Sequence, residues 1–256
     1  MTAPYLLDNS HKTTFPDVSL ALREPDGLLA VGGDLSVERL VYAYAHGIFP
    51  WYSEGQPVLW WSPDPRMVMY PSEIKVSRSL AKKIRQQSFK VTFDQNFTNV
   101  ISACSKPRFE KGVEQNETWI LDEMIDAYSK LHEAGYAHSV ECWHENNLVG
   151  GLYGVAIGNV FFGESMFSRV SDASKIAFVF LSKQLEKWGF KLIDCQVYTA
   201  HLESLGAKMI SRKKFITLLN QYAVNNSEHN KWQTDPDLVN YVLTGIANKS
   251  SMDTKK

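Results

Sequence analysis

Hydrophobic positions follow a helical spacing in the middle of residues 161–207 and a strand-like spacing on either side. The central apolar residues lie three and four positions apart, which predicts a helix with one apolar face. They are Phe178, Leu181 and Leu185. Ser171 or Asp172 is suited to begin this helix, and Gly189 stands where a helix usually ends. The pattern therefore predicts a strand–helix–strand unit whose two strands are parallel and joined by a right-handed connection.

Two polar features interrupt the apolar strands of this unit. Glu164 follows the apolar residues 161–163, and ligands tend to bind at the ends of such strands. Side chains alternate over residues 192–197, which places Asp194 and Gln196 on the same face of the second strand. An acid and an amide on one face can act together on a ligand. The same pattern also fits a half-solvated strand and a glutamate that caps a helix.

The rest of the chain predicts further helices and an antiparallel meander, and so a mixed α/β (α+β) fold. Ser36 is suited to begin one helix, and residues 122–133 have the apolar spacing of another. Turn residues separate short strands over residues 138–162, which indicates a meander that leads into the strand–helix–strand unit. A last helix is expected over residues 213–222.

A proline-rich segment near Pro63 indicates a boundary between two domains. We predict a small N-terminal α/β domain at residues 1–64 and a larger domain at residues 65–243. Residues 244–256 are polar, and we predict that this tail is disordered.

Composition and charge narrow the class of protein. The chain has 256 residues and is 44% hydrophobic, which suffices for one large domain or two modest ones. No apolar run approaches the ~20 residues of a membrane-spanning helix, and no signal peptide is visible. Three dispersed cysteines argue against a disulfide framework. We therefore expect a cytoplasmic protein without a membrane segment. With a net charge of -1, it needs a local basic patch to hold a nucleic acid.

Two local features are suited to nucleic acid. The densest basic run of the chain is either a solvated helix face or a surface that holds phosphates without reading sequence. Its members are Lys75, Arg78, Lys82, Lys83, Arg85 and Lys90. Four tryptophans lie in or beside segments that contain glycine and proline, where the rings form a hydrophobic hinge, a rigid wall for a nucleobase, or both. They are Trp51, Trp60, Trp61 and Trp119.

Read together, the motifs of the chain resemble those of the bacterial leucyl/phenylalanyl-tRNA–protein transferases. The resemblance extends over about residues 15–222, and the motifs occur in the order found in that family. They are LREPDGLLAVGGDLS, GIFPWYS, LWWSPDPR, TWI, HSVECW, LVGGLYGV, FFGESMFSR, ASK, LIDCQV and HLESLGA.

The resemblance implies a fold and a reaction. It implies a small N-terminal α/β domain and a C-terminal domain similar to the Gcn5-related acyltransferases. It also implies that Leu, Phe or sometimes Met is moved from a charged tRNA to the α-amino group of a protein that begins with Arg or Lys. The product would be sent to the bacterial N-end-rule protease. Because an aminoacyl ester is already activated, we expect no cofactor and no metal.

The resemblance also implies roles for the polar residues. Asp194 and Gln196 match catalytic positions: Asp194 is expected to orient the incoming amine and accept its charge. Gln196 is expected to help relay the proton or stabilise the oxyanion, and the division of work between them is left open. Glu164 is expected to bind the cationic side chain of the acceptor's first residue.

Two further groups of residues are expected to bind the charged tRNA. An apolar pocket for the transferred amino acid is expected from Leu152, Phe161, Ser165, Met166, Phe178, Leu181, Leu185 and Ile193. The residues of this set on the predicted helix, Phe178, Leu181 and Leu185, also fit an ordinary core. The alternation of side chains along the strand places Ile193 on the face opposite to Asp194. The 3′-terminal adenosine is expected to lie against Trp51 and Trp119, with Tyr128 nearby.

Two other functions compete with this interpretation. An acetyltransferase that uses acetyl-CoA needs a glycine-rich pyrophosphate loop, and residues 165–174 contain no glycine. A tRNA-binding module without catalysis is the second alternative. The presence of Glu164, Asp194 and Gln196 argues against it.

Overall fold

A smaller sheet of four strands forms the N-terminal part of the chain in a computed structural model. The structure describes residues 3–106, 108–110, 113–115, 120–224 and 231–253. The strands lie in the order β1-β2-β4-β3, and β1 is parallel to β2 while the other pairs are antiparallel. Their bounds are β1 Tyr5–Leu7, β2 Leu28–Gly32, β3 Phe49–Pro50 and β4 Leu59–Trp61.

A larger sheet of seven strands carries most of the fold. Its order is β13-β5-β12-β11-β10-β9-β6. The bounds are β5 Arg66–Met69, β6 Lys90–Phe93, β9 Ala137–His144, β10 Asn147–Ile157, β11 Val160–Ser168, β12 Leu192–Gln196 and β13 Lys208–Ile210. A separate hairpin pairs β7 Arg108–Glu110 with β8 Val113–Gln115. The meander β9-β10-β11 is antiparallel, as the sequence predicts.

The predicted strand–helix–strand unit is confirmed. β11 and β12 are parallel neighbours, with Phe162 opposite Asp194, and helix α5 (Ala173–Lys187) joins them. The other helices are α1 Val37–Ala45, α2 Arg78–Arg85, α3 Phe97–Cys104, α4 Asp122–Glu133, α6 Ala200–Ser204, α7 Arg212–Tyr222 and α8 Leu238–Asp253. Two short 3₁₀ helices lie at Val18–Leu20 and Pro71–Glu73. The mixed α/β class predicted from the sequence is therefore confirmed.

Alternating side chains of the larger sheet bury two hydrophobic cores on its opposite faces. One core contains Tyr153 and Phe162 together with α1, α3, α4, α7 and the smaller sheet. The other contains Leu152 and Phe161 together with α2, α5 and α8. The first core continues across residue 64, so both sides of the predicted domain boundary share it. The boundary itself stays a prediction.

The expected disordered tail is helical over residues 244–253, and residues 254–256 lie outside the described residues. Residues 244–253 belong to α8, which runs from Leu238 to Asp253. Leu238, Val242 and Ile246 are buried against α5 and its neighbours, because a spacing of four residues lines them up on one helix face. In the part of the chain that the structure describes, no helix is long and apolar enough to span a membrane.

Candidate active site

A cavity of about 1160 Å³ opens where β11 and β12 meet the start of α5. Its polar wall includes Glu164, Asp194 and Gln196. Its apolar wall includes Leu152, Phe161, Met166, Phe178 and Ile193. The fold thus brings the predicted polar residues and most of the predicted apolar pocket into one place.

A β-bulge places Glu164 in this wall. Tyr153 of β10 pairs with Ser165, but the next residue, Gly154, pairs with Gly163, so Glu164 is an additional residue in β11. A bulge disrupts the ladder and redirects the side chain of the extra residue. Simple alternation along β11 therefore ends at this position.

Neutral groups hold the Glu164 carboxylate on both oxygens. The Gln196 side-chain amide donates to Oε1 at 2.7 Å, and the Tyr128 hydroxyl donates to Oε2 at 2.9 Å. The Tyr44 hydroxyl is hydrogen-bonded in turn to the Tyr128 hydroxyl. Burial raises the pKa of Glu164 from 4.5 to about 7, since it outweighs these hydrogen bonds, and the nearby Asp194 charge adds to the rise. Glu164 is therefore poised to change charge near neutral pH.

Asp194 is engaged by a buried arginine. Arg66 donates to the two carboxylate oxygens from Nε at 2.9 Å and from a terminal nitrogen at 2.7 Å, and both side chains are fully buried. The guanidinium lies between the rings of Phe49 and Phe215, 4.6 and 4.7 Å from their centroids. Both oxygens of Asp194 are thus committed to Arg66. This geometry does not fit the expectation that Asp194 takes up the charge of the incoming amine.

Asp194 instead holds the main chain of Gln196. The Gln196 amide N–H donates to Asp194 Oδ1 at 2.9 Å, and Gln196 has a left-handed backbone with φ of +60°. A residue with a side chain rarely adopts this conformation, so the hydrogen bond offsets part of its cost. The pairing of β12 with β5 also shifts register between these two residues. The sequence predicted that Asp194 and Gln196 lie on one face of a regular strand. The backbone of β12 instead turns at Gln196, and the side-chain amide of Gln196 contacts Glu164.

Most of the predicted aminoacyl pocket lines the cavity, but two residues do not. Leu152, Phe161, Ser165, Met166, Phe178 and Ile193 line it. Leu181 and Leu185 are fully buried in the core beneath α5 and are absent from the cavity wall. Their role in the pocket stays a prediction, and their burial fits the ordinary core that the sequence also allowed, because one helical stripe serves both the cavity and the core behind it.

The residues expected to hold the adenosine have three different outcomes. Trp51 is 45% exposed, and its ring lies 5.9 Å from that of Trp61, whose indole N–H donates to the Trp51 carbonyl. Trp119 lies outside the described residues. Tyr128 is fully buried and bonded to Glu164, so it presents no ring face to a base. Its expected place near the adenosine stays a prediction, and its burial leaves only its hydroxyl, which is bonded to Glu164, for such a role.

The basic run lies on and around α2. Its members are exposed except Lys83, which is half-buried; the exposed ones are Lys75, Arg78, Lys82, Arg85 and Lys90. Lys83 donates to Asp172 at 2.6 Å and is thereby tied to the residue before α5. A charge already paired with a carboxylate attracts a phosphate less strongly, so Lys83 is the weakest member of the predicted surface.

Arg66 and Tyr44 were not predicted as site residues. The pattern of residues around Arg66 indicates a functional role only weakly, since Arg66 is a charged residue at the start of an otherwise apolar strand. Tyr44 lies on the buried face of α1, where its aromatic ring looks like ordinary core. Only the folded chain shows that the Tyr44 hydroxyl reaches Tyr128.

Comparison with known proteins identifies a family over most of the chain. Residues 68–220 match the family described as leucyl/phenylalanyl-tRNA protein transferase, and residues 33–64 match the N-terminal domain of that family. A relative of the same name from Nitrosospira multiformis is 56% identical over 230 residues, which cover 90% of this chain and 97% of the relative. One from Pseudomonas fluorescens SBW25 is 57% identical and covers 82% of this chain and 91% of its own length.

Similar solved structures are much more distant. L-PGS from Bacillus licheniformis has 9% identity and a TM-score of 0.37, and the match covers 85% of this chain and 72% of that one. A GCN5-related N-acetyltransferase from Kribbella flavida has 11% identity and a TM-score of 0.34, over 64% of this chain and 57% of that one.

The family match and the close relatives define an aminoacyltransferase that works with a charged tRNA and a protein. The chain belongs to the leucyl/phenylalanyl-tRNA–protein transferase family. This membership excludes the binding module without catalysis and the acetyl-CoA enzyme as accounts of the chain.

Proposed function

We propose that the chain transfers leucine, phenylalanine and, less readily, methionine from tRNA to proteins that begin with Arg or Lys. The acceptor is the α-amino group, and the modified protein is marked for N-end-rule degradation in the cytoplasm. Family membership supports the donor amino acids leucine and phenylalanine. The choice of acceptor rests on the chemistry of the cavity.

One observation carries the choice of acceptor. Glu164 lies in the cavity wall, and its carboxylate accepts hydrogen bonds from the neutral groups of Tyr128 and Gln196 rather than from a lysine or arginine. Among the described residues, no ion pair joins Glu164 to a cation. Neutral donors leave the negative charge of the ionised carboxylate without a cationic partner, so this charge is available to a cationic ligand. Arginine fits such a group with two parallel hydrogen bonds, and lysine fits it as a point charge.

The apolar wall suits the transferred amino acid. Leu152, Phe161 and Phe178 supply a rigid hydrophobic surface, and Met166 supplies a deformable one. Leucine, phenylalanine and methionine are all unbranched at Cβ, so one slot of adjustable depth accepts each of them. A β-branched side chain would widen at the mouth of the slot.

The polar wall suits attack of an amine on an aminoacyl ester. The acceptor's α-amino group has an ordinary pKa near 8, so a usable fraction is neutral at physiological pH. Binding its side chain at Glu164 places that amine in line with the ester and supplies much of the rate gain by orientation. The amine nitrogen bonds to the carbonyl carbon, the ester C–O bond breaks, and the tRNA leaves with a 3′-hydroxyl that carries the proton lost by the amine. Gln196, fixed by Asp194 and Arg66, then offers an amide beside the reacting carbonyl. Asp194 and Arg66 act as positioning residues in this account.

The transfer reaction itself tests the proposal. Leucine, phenylalanine and methionine, each labelled and carried on tRNA, are offered with peptides that differ only at residue one. We expect transfer to Arg and Lys starts, weak transfer to Ala starts, and none to an N-acetylated Arg start. Equal labelling of Ala and Arg starts would remove the acceptor assignment, and label on the acetylated peptide would remove the α-amine as the target.

Replacing Trp51 with alanine is expected to weaken the use of charged tRNA. An exposed ring that stacks on the terminal base contributes about 1–3 kcal/mol, so KM for charged tRNA should rise about five- to hundredfold. KM for the acceptor peptide should change little. Tyr5→Ala, which removes another exposed ring, serves as the control. A Trp51 variant with altered acceptor KM and unchanged tRNA KM would show that the ring is structural.

A further inference from the structure

The C-terminal strap, defined here as residues 231–247, lies beyond the segment that matches the family at residues 68–220. It begins with Trp232 and continues into α8. Leu238 and Val242 of α8 are fully buried in the same core as α5 and Phe161. The strap is therefore packed directly behind the apolar wall of the cavity.

Several polar contacts fix the start of the strap. The Trp232 main-chain N–H donates to Asp94 Oδ2 at 2.7 Å. Lys187 of α5 contacts Asp237 at 2.8 Å and Asp235 at 3.4 Å. The Asp235 N–H also donates to the Gln184 side chain at 3.1 Å. These contacts leave the Trp232 ring little freedom to move.

The Trp232 ring lies between a histidine and the wall of the cavity. It stacks on His138 with centroids 3.9 Å apart and planes 3° apart. Its centroid is 5.7 Å from that of Phe161, with the planes inclined by 38°. The His138 ring is held by a 2.8 Å contact with Asp94, the same carboxylate that binds the Trp232 main chain. Trp232 is thus a fixed support behind Phe161.

Phe161 lines the cavity and is fully buried. Its ring leans over Gly154, where a Cβ atom would lie 2.5 Å from Phe161 Cζ. The glycine makes room for the ring at the sheet surface, and Trp232 closes the space behind it. The position of Phe161 in the cavity wall therefore depends on Trp232.

We propose that Trp232 determines the depth of the aminoacyl pocket, and hence the relative use of leucine and phenylalanine, by holding Phe161 in place. The inference rests on the proposed function, in which this pocket receives the transferred side chain. With Trp232 present, Phe161 limits the slot. When Trp232 is removed, the void behind Phe161 lets the Phe161 ring turn away from the cavity. The aminoacyl pocket then accepts the larger side chain of phenylalanine more readily.

The experiment compares leucine and phenylalanine on one RNA. A single tRNA transcript is charged with either amino acid, so that contacts to the RNA are the same. The measured quantity is the ratio of kcat/KM for phenylalanine to that for leucine, with an Arg-start peptide as acceptor. Trp232→Ala is expected to raise this ratio about tenfold, the scale of discrimination by pocket size. Trp232→Phe, which keeps a ring, is expected to raise it about twofold to threefold.

Val242→Ala is the matched control. This substitution removes buried apolar atoms from α8 in the same strap, but residue 242 has no aromatic ring to pack on Phe161. The melting temperature should therefore fall, while the ratio of kcat/KM for phenylalanine to that for leucine stays within about twofold of wild type. A ratio that rises equally in Val242→Ala would overturn the proposal, because general loosening would then explain it.

The remaining outcomes are also decisive. A folded Trp232→Ala protein whose ratio is unchanged would show that Phe161 does not depend on Trp232. If that variant fails to fold, an unchanged ratio in Trp232→Phe overturns the proposal in the same way. A wild-type protein that transfers neither amino acid would instead refute the proposed function, and the inference with it.

Discussion

Replacing Arg66 with methionine is expected to lower the free energy of unfolding by about 3–5 kcal/mol. The substitution removes the partner of Asp194, a fully buried carboxylate that accepts two hydrogen bonds from the guanidinium. An unpaired charge in the interior is much less stable than the pair, and methionine roughly preserves the packing between Phe49 and Phe215. Denaturant unfolding of the variant and the wild type measures the difference.

The double variant Arg66→Met with Asp194→Leu separates stability from activity. Since it buries no charge, it should recover most of the lost stability. Transfer activity should remain about hundredfold below wild type, because the Gln196 N–H loses the acceptor that fixes its turned backbone. Recovery of transfer together with stability would contradict the positioning role and leave the pair purely structural.

Replacing Glu164 with glutamine is expected to remove most of the preference for Arg and Lys starts. The loss of a charge-assisted contact corresponds to about 1.5–3 kcal/mol, so kcat/KM for these acceptors should fall about ten- to hundredfold. Glutamine keeps the shape of the side chain and can still bond Tyr128 and Gln196. Glu123→Gln is the matched control, because Glu123 also accepts a tyrosine hydroxyl, that of Tyr52. An unstable Glu164→Gln protein with unchanged discrimination would make Glu164 structural.

The pH dependence of discrimination follows from the raised pKa of Glu164, about 7. Below this pH the carboxyl gains a proton and no longer pairs with a cation, so the preference for Arg over Ala starts should weaken. The ratio of the two kcat/KM values cancels the titration of the α-amine, which both peptides share. We expect this ratio to rise between pH 6 and about 8 in the wild type and to be flat in Glu164→Gln.

The free energy of unfolding should also depend on the Glu164 carboxyl, but it should fall as the pH rises. The folded protein holds the Glu164 proton more tightly than the unfolded chain, because the pKa is raised from 4.5 to about 7. Its contribution to stability is therefore complete below pH 4.5 and is lost as the pH rises to 7. Glu164→Gln should remove this decline, which denaturant unfolding at several pH values would show as a flatter profile.

The overall fold was largely predictable because local patterns determine much of it. The helical spacing of Phe178, Leu181 and Leu185 and the flanking glycine predicted α5 and its two parallel strands. α8 was missed although Leu238, Val242 and Ile246 are spaced by four residues. The helix is stabilised by packing on α5, which no local pattern shows.

The candidate site was less predictable because its contacts join distant parts of the chain. Arg66 and Asp194 are separated by 128 positions, and Glu164 and Tyr128 by 36. The bulge at Glu164 and the left-handed backbone of Gln196 also break the alternation on which strand faces were assigned. Motifs identified residue types, but the direction of each side chain depended on irregular backbone.

A crystal structure with both substrates represented tests the central claim most directly. The donor would be adenosine carrying leucine through a stable 3′-amide, and the acceptor a peptide that begins with Arg. We expect the leucine side chain to lie against Phe161 and Met166, and the guanidinium to lie about 3 Å from the Glu164 carboxylate. A guanidinium bound away from Glu164, or a leucine side chain outside this apolar wall, would contradict the account.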